Sequence, residues 1–164
     1  MQELDVSFRS MLREAVASPL SLNAEAKVLL LSCIDYRYPQ RISETMEEEG
    51  HSGRYYHLAM AGASHAGNSA AHGGVWHNTL FDHLVFAVDE AKVAGVVIID
   101  HLDCKAFHLY EGVPVGDLEA ERERHVDVAN GLVQEIVERF PKLRGNVKVL
   151  LLPKESKPDT IAEG

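Results

Sequence analysis

Two short segments of the chain contain residue types that bind metal ions. Cys33 stands in the first segment, and His101 and Cys104 stand in the second. Each segment directly follows a run of apolar residues. Two thiolates and one imidazole suit zinc, and three protein ligands leave the fourth tetrahedral position open, as catalytic zinc sites do. The sequence therefore predicts one zinc ion bound by Cys33, His101 and Cys104. The alternative for each cysteine is a small, buried apolar residue.

Asp35 and Arg37 follow Cys33 and could act beside the metal. They lie two residues apart, on the same side of an extended segment, so the guanidinium can hold the carboxylate. In this arrangement Asp35 can accept the proton of a zinc-bound hydroxide and orient it. Released from Arg37, the same carboxylate could bind zinc in place of water. We therefore predict catalytic roles for Asp35 and Arg37, and the alternative is a structural ion pair at the end of a strand.

Composition limits the class of protein and its partners. The 164 residues, of which 46% are hydrophobic, suffice for one domain with a core. There are 25 acidic and 16 basic residues, and the resulting net charge of −9 argues against nucleic acid or an anionic membrane as a partner. A small-molecule substrate fits better. The sequence has no signal-like or membrane-spanning apolar run, so we expect a cytoplasmic protein whose cysteines bind metal rather than form a disulfide.

Strands and helices alternate along the chain. Apolar runs predict strands at 27–31, 55–60, 95–99 and 147–151. Apolar stripes at helical spacing, with their flanking Pro, Gly and Asp residues, predict helices at 39–49, 74–93 and 117–140. Outside these elements we predict an amphipathic helical arm at about 5–18 and a polar tail at about 154–164. The alternation predicts one α/β domain over 1–164, with a doubly wound, mainly parallel sheet of about four strands flanked by helices.

This fold class places the metal-binding residues at one edge of the sheet. Doubly wound sheets bind ligands at the carboxyl ends of the strands, where the direction of winding switches. Cys33 ends the first predicted strand, and His101 and Cys104 follow the third. If these two strands are neighbours, the three side chains meet at the switch point.

The two segments resemble the zinc motifs of the β-class carbonic anhydrases. The chain has Cys-x-Asp-x-Arg at 33–37 and His-x-x-Cys at 101–104, each after a strand and in the family's order. The resemblance covers roughly residues 27–152. It implies reversible hydration of carbon dioxide to bicarbonate by zinc-bound hydroxide, with Asp35 and Arg37 beside a metal held by Cys33, His101 and Cys104. It also implies a homodimer or a higher even oligomer, and the N-terminal arm is suited to contacting a second subunit.

Two stretches differ from the family's pattern. Members typically carry Arg-Asn-Ala-Gly where this chain has Ala59-Met60-Ala61-Gly62, and a glycine where this chain has Lys105. Gly62 is a matched position of the first stretch, and we predict that Gly62 and Lys105 border the substrate pocket. These differences leave two alternatives open. One is hydrolysis of carbonyl sulfide or carbon disulfide by a related zinc enzyme, and the other is a non-catalytic protein in which zinc only stabilises the fold.

Overall fold

Four parallel strands form a single sheet in the part of the chain that the computed structural model describes, residues 26–154. The strands are β1 (Val28–Ser32), β2 (Tyr55–Ala59), β3 (Gly95–His101) and β4 (Val147–Leu152). Their order is β2-β1-β3-β4, and every neighbouring pair is parallel. The predicted doubly wound sheet is therefore confirmed. The predicted arm at 5–18 lies outside the described residues, as does all of the predicted tail except Lys154.

The direction of winding switches between β1 and β3. From β1 the chain crosses to β2 on one side, and it then returns to β3 on the other side of β1. Because β1 and β3 are paired in parallel, with Ser32 opposite Ile99, the residues that follow β1 lie beside the end of β3. Cys33 and His101 therefore stand at the kind of edge where doubly wound sheets bind ligands.

Helices cover both faces of the sheet. They are α1 (Pro39–Glu48), α2 (Val75–Val85), α3 (Lys105–Tyr110) and α4 (Leu118–Arg139). On one face Leu30 of β1 packs in a buried cluster with Ile42 and Met46 of α1. On the other face Leu29 and Leu31 belong to a larger buried cluster with side chains of the other three helices. Burial of both faces explains why β1 is apolar along almost its whole length.

The helices differ from the sequence prediction in two places. The predicted helix at 74–93 is α-helical only over Val75–Val85 and then continues as a π turn at Phe86–Glu90. Ala87 and Val88, within this turn, are buried in the core. The second difference is α3, which was not predicted because six residues are too few to establish a helical periodicity.

None of the helices within 26–154 combines the length and the apolar character that crossing a bilayer requires.

Candidate metal centre

Cys33, His101 and Cys104 meet at the carboxyl edge of β1 and β3. Their ligand atoms, two sulfurs and one ring nitrogen, all lie within 4.8 Å of one another. The three residues are buried, with exposed fractions of 8%, 2% and 2%, and both cysteines are free thiols. Within residues 26–154 this is the one group of three or more such side chains that could hold a metal ion. The structure thus brings together the three residues that the sequence predicted as ligands.

His101 is oriented so that one ring nitrogen remains available. Its Nδ1 lies 2.9 Å from the carbonyl oxygen of Leu102, to which it donates a hydrogen bond, and its ring stacks on Tyr38 at 4.0 Å between centroids. Its Nε2 is buried and has no hydrogen-bond partner among the described residues. Buried polar atoms are almost always paired, and a metal-binding histidine usually donates its other N–H to an oxygen, as His101 does. The imidazole therefore fits the role of a metal ligand.

The two thiols influence each other's protonation. A hydrogen bond from Cys104 lowers the pKa of Cys33, and His101 and the backbone N–H of Gly62 lower it further, against the effect of burial. The hydrogen bond with Cys33 raises the pKa of Cys104, and so does burial. The N–H of Gly62 lies 3.4 Å from the Cys33 sulfur, to which it donates. Metal ligation requires both thiolates, so a cation that binds at this position would release the thiol protons.

Burial alone would lower the pKa of His101. The adjacent Cys33 sulfur and the carbonyl oxygen of Leu102 outweigh that effect and raise the pKa. The metal-free cluster therefore stabilises positive charge at its centre, which is the sign of charge that a metal cation would bring.

Gly62 is required at its position for two reasons. Its φ of +74° is a left-handed conformation that favours glycine, and a Cβ there would lie 2.9 Å from the Cβ atoms of both Ala106 and His65. Its N–H contacts the Cys33 sulfur, so Gly62 adjoins the cluster. Lys105 is exposed and begins α3. The predicted role of Gly62 and Lys105 in a substrate pocket stays a prediction.

Asp35 and Arg37 form the ion pair that their spacing predicted. The Arg37 Nη2 and Nε donate to the two carboxylate oxygens at 2.7 and 3.0 Å, and its backbone N–H donates to Oδ1 at 3.0 Å. Arg37 holds the pKa of Asp35 below its usual range. The Asp35 Oδ2 lies 3.9 Å from the unpartnered Nε2 of His101. A charged carboxylate is therefore held beside the position that a metal ion would take, without belonging to the group of three ligands.

Arg37 has a second carboxylate partner that sequence reasoning missed. Its Nη1 donates to Asp103 Oδ2 at 2.8 Å, and its Nη2 donates to the Asp103 carbonyl oxygen at 2.9 Å. The hydrogen bond from Arg37 lowers the pKa of Asp103. Arg37 thus links the segment after β1 to the segment after β3. Residues 66 positions apart form this contact, and no local sequence pattern indicates it.

Glu121 of α4 was also missed. Its two carboxylate oxygens accept the backbone N–H groups of Asp103 at 2.9 Å and Cys104 at 2.8 Å. The carboxylate of Asp103 faces Arg37 instead of the loop backbone, and its N–H is a donor, so the acceptor that fixes this loop comes from α4. One signal was available. Glu121 and His125 occupy the buried stripe of α4 that continues with Ala129, Leu132 and Ile136.

A second cluster of imidazoles lies close to the Gly62 loop. The His65 Nδ1 lies 2.5 Å from Glu111 Oε1, and its Nε2 lies 2.9 Å from the Nε2 of His72. The other oxygen of Glu111 accepts from Arg124 at 2.6 and 2.9 Å. The His65 and His72 rings stack on Tyr110 and Trp76 respectively. Both ring nitrogens of His65 have protein partners, in contrast to those of His101.

Comparisons with known sequences show distant relatives. No family model matches the chain. An uncharacterized protein of Rickettsia bellii is 28% identical over 123 residues, which are 73% of this chain and 73% of that protein. An uncharacterized protein of Rickettsia conorii is 26% identical over 121 residues, 73% of this chain and 64% of that protein.

Comparisons with solved structures show the fold. A β-carbonic anhydrase of Trichomonas vaginalis superposes with a TM-score of 0.54 and 20% identity, covering 98% of this chain and 93% of that one. A β-carbonic anhydrase of Aspergillus fumigatus superposes with a TM-score of 0.50 and 17% identity, covering 93% and 82%. The chain has a divergent β-carbonic-anhydrase-like fold.

Proposed function

We propose that this protein is a zinc-dependent carbonic anhydrase that catalyses the reversible hydration of carbon dioxide to bicarbonate. One observation carries the proposal. Cys33, His101 and Cys104 form a buried cluster, and the Nε2 of His101 has no hydrogen-bond partner within the described residues. The carboxylate of Asp35, which is paired with Arg37, lies next to this cluster. The fold and the two sequence motifs support the same function.

Cys33, His101 and Cys104 would hold the zinc ion. Two thiolates and an imidazole are ligands that zinc prefers, and a three-residue site leaves one position open. When bound, zinc lowers the pKa of a water ligand from ~16 to ~7, which supplies the nucleophile that carbon dioxide hydration needs. Because the two thiolates cancel the formal charge of the dication, the surrounding residues must contribute to positioning the nucleophile.

Asp35 would accept the proton of the nucleophile and fix its orientation. Arg37 donates to both carboxylate oxygens, which fixes the carboxylate plane and keeps it ionised. Ionised carboxylates are acceptors only, so a nucleophile bound next to Asp35 must point its proton at the carboxylate and its lone pair elsewhere. Asp103 contributes indirectly, because it holds Arg37 from the side opposite to Asp35.

The substrate would enter beside Gly62 and Lys105. Ala59 and Met60 stand where the family has Arg and Asn, and Met60 packs on the core cluster, so this stretch is apolar where the family's is polar. Carbon dioxide is apolar and its product is an anion, so an exposed cation at Lys105 would favour bicarbonate near the site. The residues named are proposed to border the pocket and not to react.

We also propose that the protein is a homodimer or a higher even oligomer in a reducing compartment such as the cytoplasm. Ile34 and Tyr36 flank Asp35 in sequence and are 63% and 69% exposed. Exposed large apolar side chains that recur in one segment favour an interface between subunits. The free thiols of Cys33 and Cys104 favour a reducing compartment. No nucleic acid or membrane partner is proposed, because the net charge is −9.

Stopped-flow measurement of carbon dioxide hydration tests the proposal. Protein loaded with one zinc per chain is assayed on both sides of pH ~8, with Cys104→Ala as the control that lacks a ligand. We expect a rate well above that of buffer for the wild-type protein and none for the variant. A zinc-loaded wild-type protein with no rate at any pH would contradict the proposed function.

Hydrolysis of carbonyl sulfide or carbon disulfide is the second candidate. The changed residues Met60 and Lys105 are the reason to consider it, because they alter the surroundings of the metal ligands while leaving the same attack on a linear electrophile available. Sulfide release from either gas, without carbon dioxide hydration, would identify this activity. A zinc ion that only stabilises the fold would need Asp35 as a permanent fourth ligand, and the bidentate pairing of Asp35 with Arg37 argues against that arrangement.

A further inference from the structure

Glu121 lies behind the loop that carries Cys104 and does not belong to the proposed ligands. Its side chain is fully buried, with an exposed fraction of 0%. Each carboxylate oxygen accepts one backbone N–H, from Asp103 and from Cys104, at 2.9 and 2.8 Å. One acidic side chain therefore satisfies two consecutive N–H groups next to a proposed metal ligand. Charge-assisted hydrogen bonds of this kind are short and directional.

The loop that Glu121 holds has an unfavourable backbone conformation. Asp103 has a φ of +60°, in the left-handed region that residues with a Cβ rarely adopt. Cys104 then returns to an extended conformation and precedes the first turn of α3. This sharp turn sets the direction of the Cys104 side chain. Without an acceptor at Glu121, the turn would keep its strain and lose both hydrogen bonds that fix it.

Glu121 is itself fixed by a buried polar network. The His125 ring lies between two carboxylates, with Nε2 3.6 Å from Glu121 Oε1 and Nδ1 3.1 Å from Asp100 Oδ2. The same ring stacks on Phe107 at 3.5 Å between centroids. Asp100 also accepts from the backbone N–H and the hydroxyl of Ser64, at 3.0 and 2.5 Å. The network therefore extends from the Cys104 loop to the loop after β2.

The loop after β2 contacts Cys33, the other proposed thiolate ligand. Ser64 is two residues beyond Gly62, whose N–H donates to the Cys33 sulfur. One continuous chain of hydrogen bonds and close polar contacts, running through Ser64, Asp100, His125 and Glu121, thus joins the loops that contact the two sulfurs. Its acidic members and His125 are almost completely buried. The part from Ser64 to His125 is hydrogen-bonded, and the last link, from His125 Nε2 to Glu121, is an electrostatic contact at 3.6 Å.

We propose that Glu121 is a positioning residue that holds the Cys104 loop in its metal-binding conformation before any metal is bound. The inference rests on the proposed zinc site, because positioning is useful only if Cys104 is a ligand. Glu121 acts through backbone N–H groups and touches no reacting atom. Residues that orient metal ligands in this way typically contribute 10- to 100-fold to metal affinity.

Two matched variants of α4 test this role. Glu121→Gln keeps the size of the side chain, but its amide nitrogen cannot accept the second N–H. Glu135→Gln is the control, since Glu135 also contacts a buried imidazole, His77, at 2.9 Å, and is remote from the cluster in the fold.

Competition with a chromophoric chelator should show roughly 10- to 100-fold weaker Zn²⁺ binding for Glu121→Gln and less than about twofold change for Glu135→Gln. The visible spectrum of bound Co²⁺ should change only in Glu121→Gln. A purely structural role would lower stability without altering that spectrum.

Amide hydrogen exchange of the metal-free wild-type protein provides a test that needs no variant. We expect the N–H groups of Asp103 and Cys104 to be protected already, because the Glu121 carboxylate accepts them without metal. Exchange as fast as in exposed loops would overturn the proposal, as would a folded Glu121→Gln protein with unchanged Zn²⁺ affinity and Co²⁺ spectrum. Failure of the proposed function is distinguishable. In that case the zinc-loaded wild-type protein shows no carbon dioxide hydration, while the Zn²⁺ affinities and the exchange rates still report whether Glu121 fixes the loop.

Discussion

His101 and His65 are two equally buried histidines in very different surroundings. Their exposed fractions are 2% and 0%. Both nitrogens of His65 contact protein groups, Glu111 and His72, whereas the Nε2 of His101 has no partner within the described residues and points into a cluster with two sulfurs. Burial therefore does not distinguish a ligand from a structural histidine. For these two histidines the occupancy of the ring nitrogens does, since only a free lone pair can bind a metal. The buried Nε2 atoms of His108 and His125 also have no hydrogen-bond partner within residues 26–154, and His101 differs from them because two cysteine sulfurs lie beside it.

The two regions also differ in what their carboxylates do. Glu111 contacts His65 directly and is neutralised by Arg124, so the cluster is complete in itself and ties the loop after β2 to α3 and α4. Asp35 lies 3.9 Å from His101, too far for a hydrogen bond, and is held by Arg37, so the imidazole nitrogen is not paired with the carboxylate. The first arrangement suits stability, and the second suits chemistry.

Removing each histidine should give the largest contrast. His101→Ala should weaken Zn²⁺ binding by roughly 100- to 1,000-fold, the share of one ligand in a typical zinc site. His65→Ala should change Zn²⁺ affinity by less than about tenfold, while lowering the free energy of unfolding by about 3 kcal/mol because Glu111 loses its buried partner. Isothermal titration and urea unfolding measure the two quantities. Equal effects of the two variants on Zn²⁺ affinity would break the distinction.

Asp35→Asn should have the next largest effect, and it should lower turnover without changing the amount of bound zinc. The amide keeps the shape of the carboxylate but is a poorer acceptor and no longer pairs ionically with Arg37. We expect kcat for carbon dioxide hydration to fall by about 100-fold or more, the usual contribution of a positioned proton acceptor. Zinc content, measured by atomic absorption, should remain at the wild-type level. Unchanged turnover in a zinc-loaded Asp35→Asn protein would remove Asp35 from the mechanism.

The pH dependence of the stability of Glu111→Gln tests the structural role of the cluster around His65. Burial raises the pKa of Glu111, but hydrogen bonds from His65 and Arg124 outweigh burial and lower the pKa from its ordinary value of 4.5. Its stabilising contribution is therefore complete above pH 4.5 and is lost as the pH falls through the lower folded-state pKa. At pH 7 the variant should be less stable by about 2 kcal/mol.

The difference between wild type and Glu111→Gln should shrink steadily below pH 4.5. Urea unfolding at a series of pH values measures it. Glu123→Gln, an exposed substitution on α4 next to Arg124, is the control and should cost less than about 0.5 kcal/mol at any pH. A difference that does not depend on pH would show that the carboxylate charge of Glu111 contributes nothing.

Local patterns predicted most of the fold. β1 and β3 were recognisable because both faces of each strand are buried, so that almost every residue is apolar. Pro39 marked the start of α1, and Asp117 accepts the N–H of Ala120 as the predicted cap of α4. The π turn after α2 was not predictable, because it lies where Ala87 and Val88 pack into the assembled core, and that packing depends on residues distant in the sequence.

The candidate site was also predictable only in part, because contacts between distant residues leave no local pattern in the sequence. Cys33, Asp35 and Arg37 form a local motif, and His101 with Cys104 forms another, so the side chains that lie around the metal position could be read from the sequence. Their supports could not. Glu121 accepts backbone N–H groups from residues 17 and 18 positions away. Because every residue except proline has a backbone N–H, the sequence does not indicate which of these groups Glu121 binds.

A titration of the metal-free protein with Co²⁺ tests the central claim most directly. The account predicts one bound ion per chain, with the intense near-ultraviolet absorption that thiolate ligands give, and loss of that absorption in Cys33→Ala and in Cys104→Ala. Zn²⁺ should displace the bound Co²⁺ because a site of two thiolates and an imidazole prefers zinc. A wild-type protein that binds no Co²⁺, or binds it with the same spectrum after either cysteine is removed, would contradict the account.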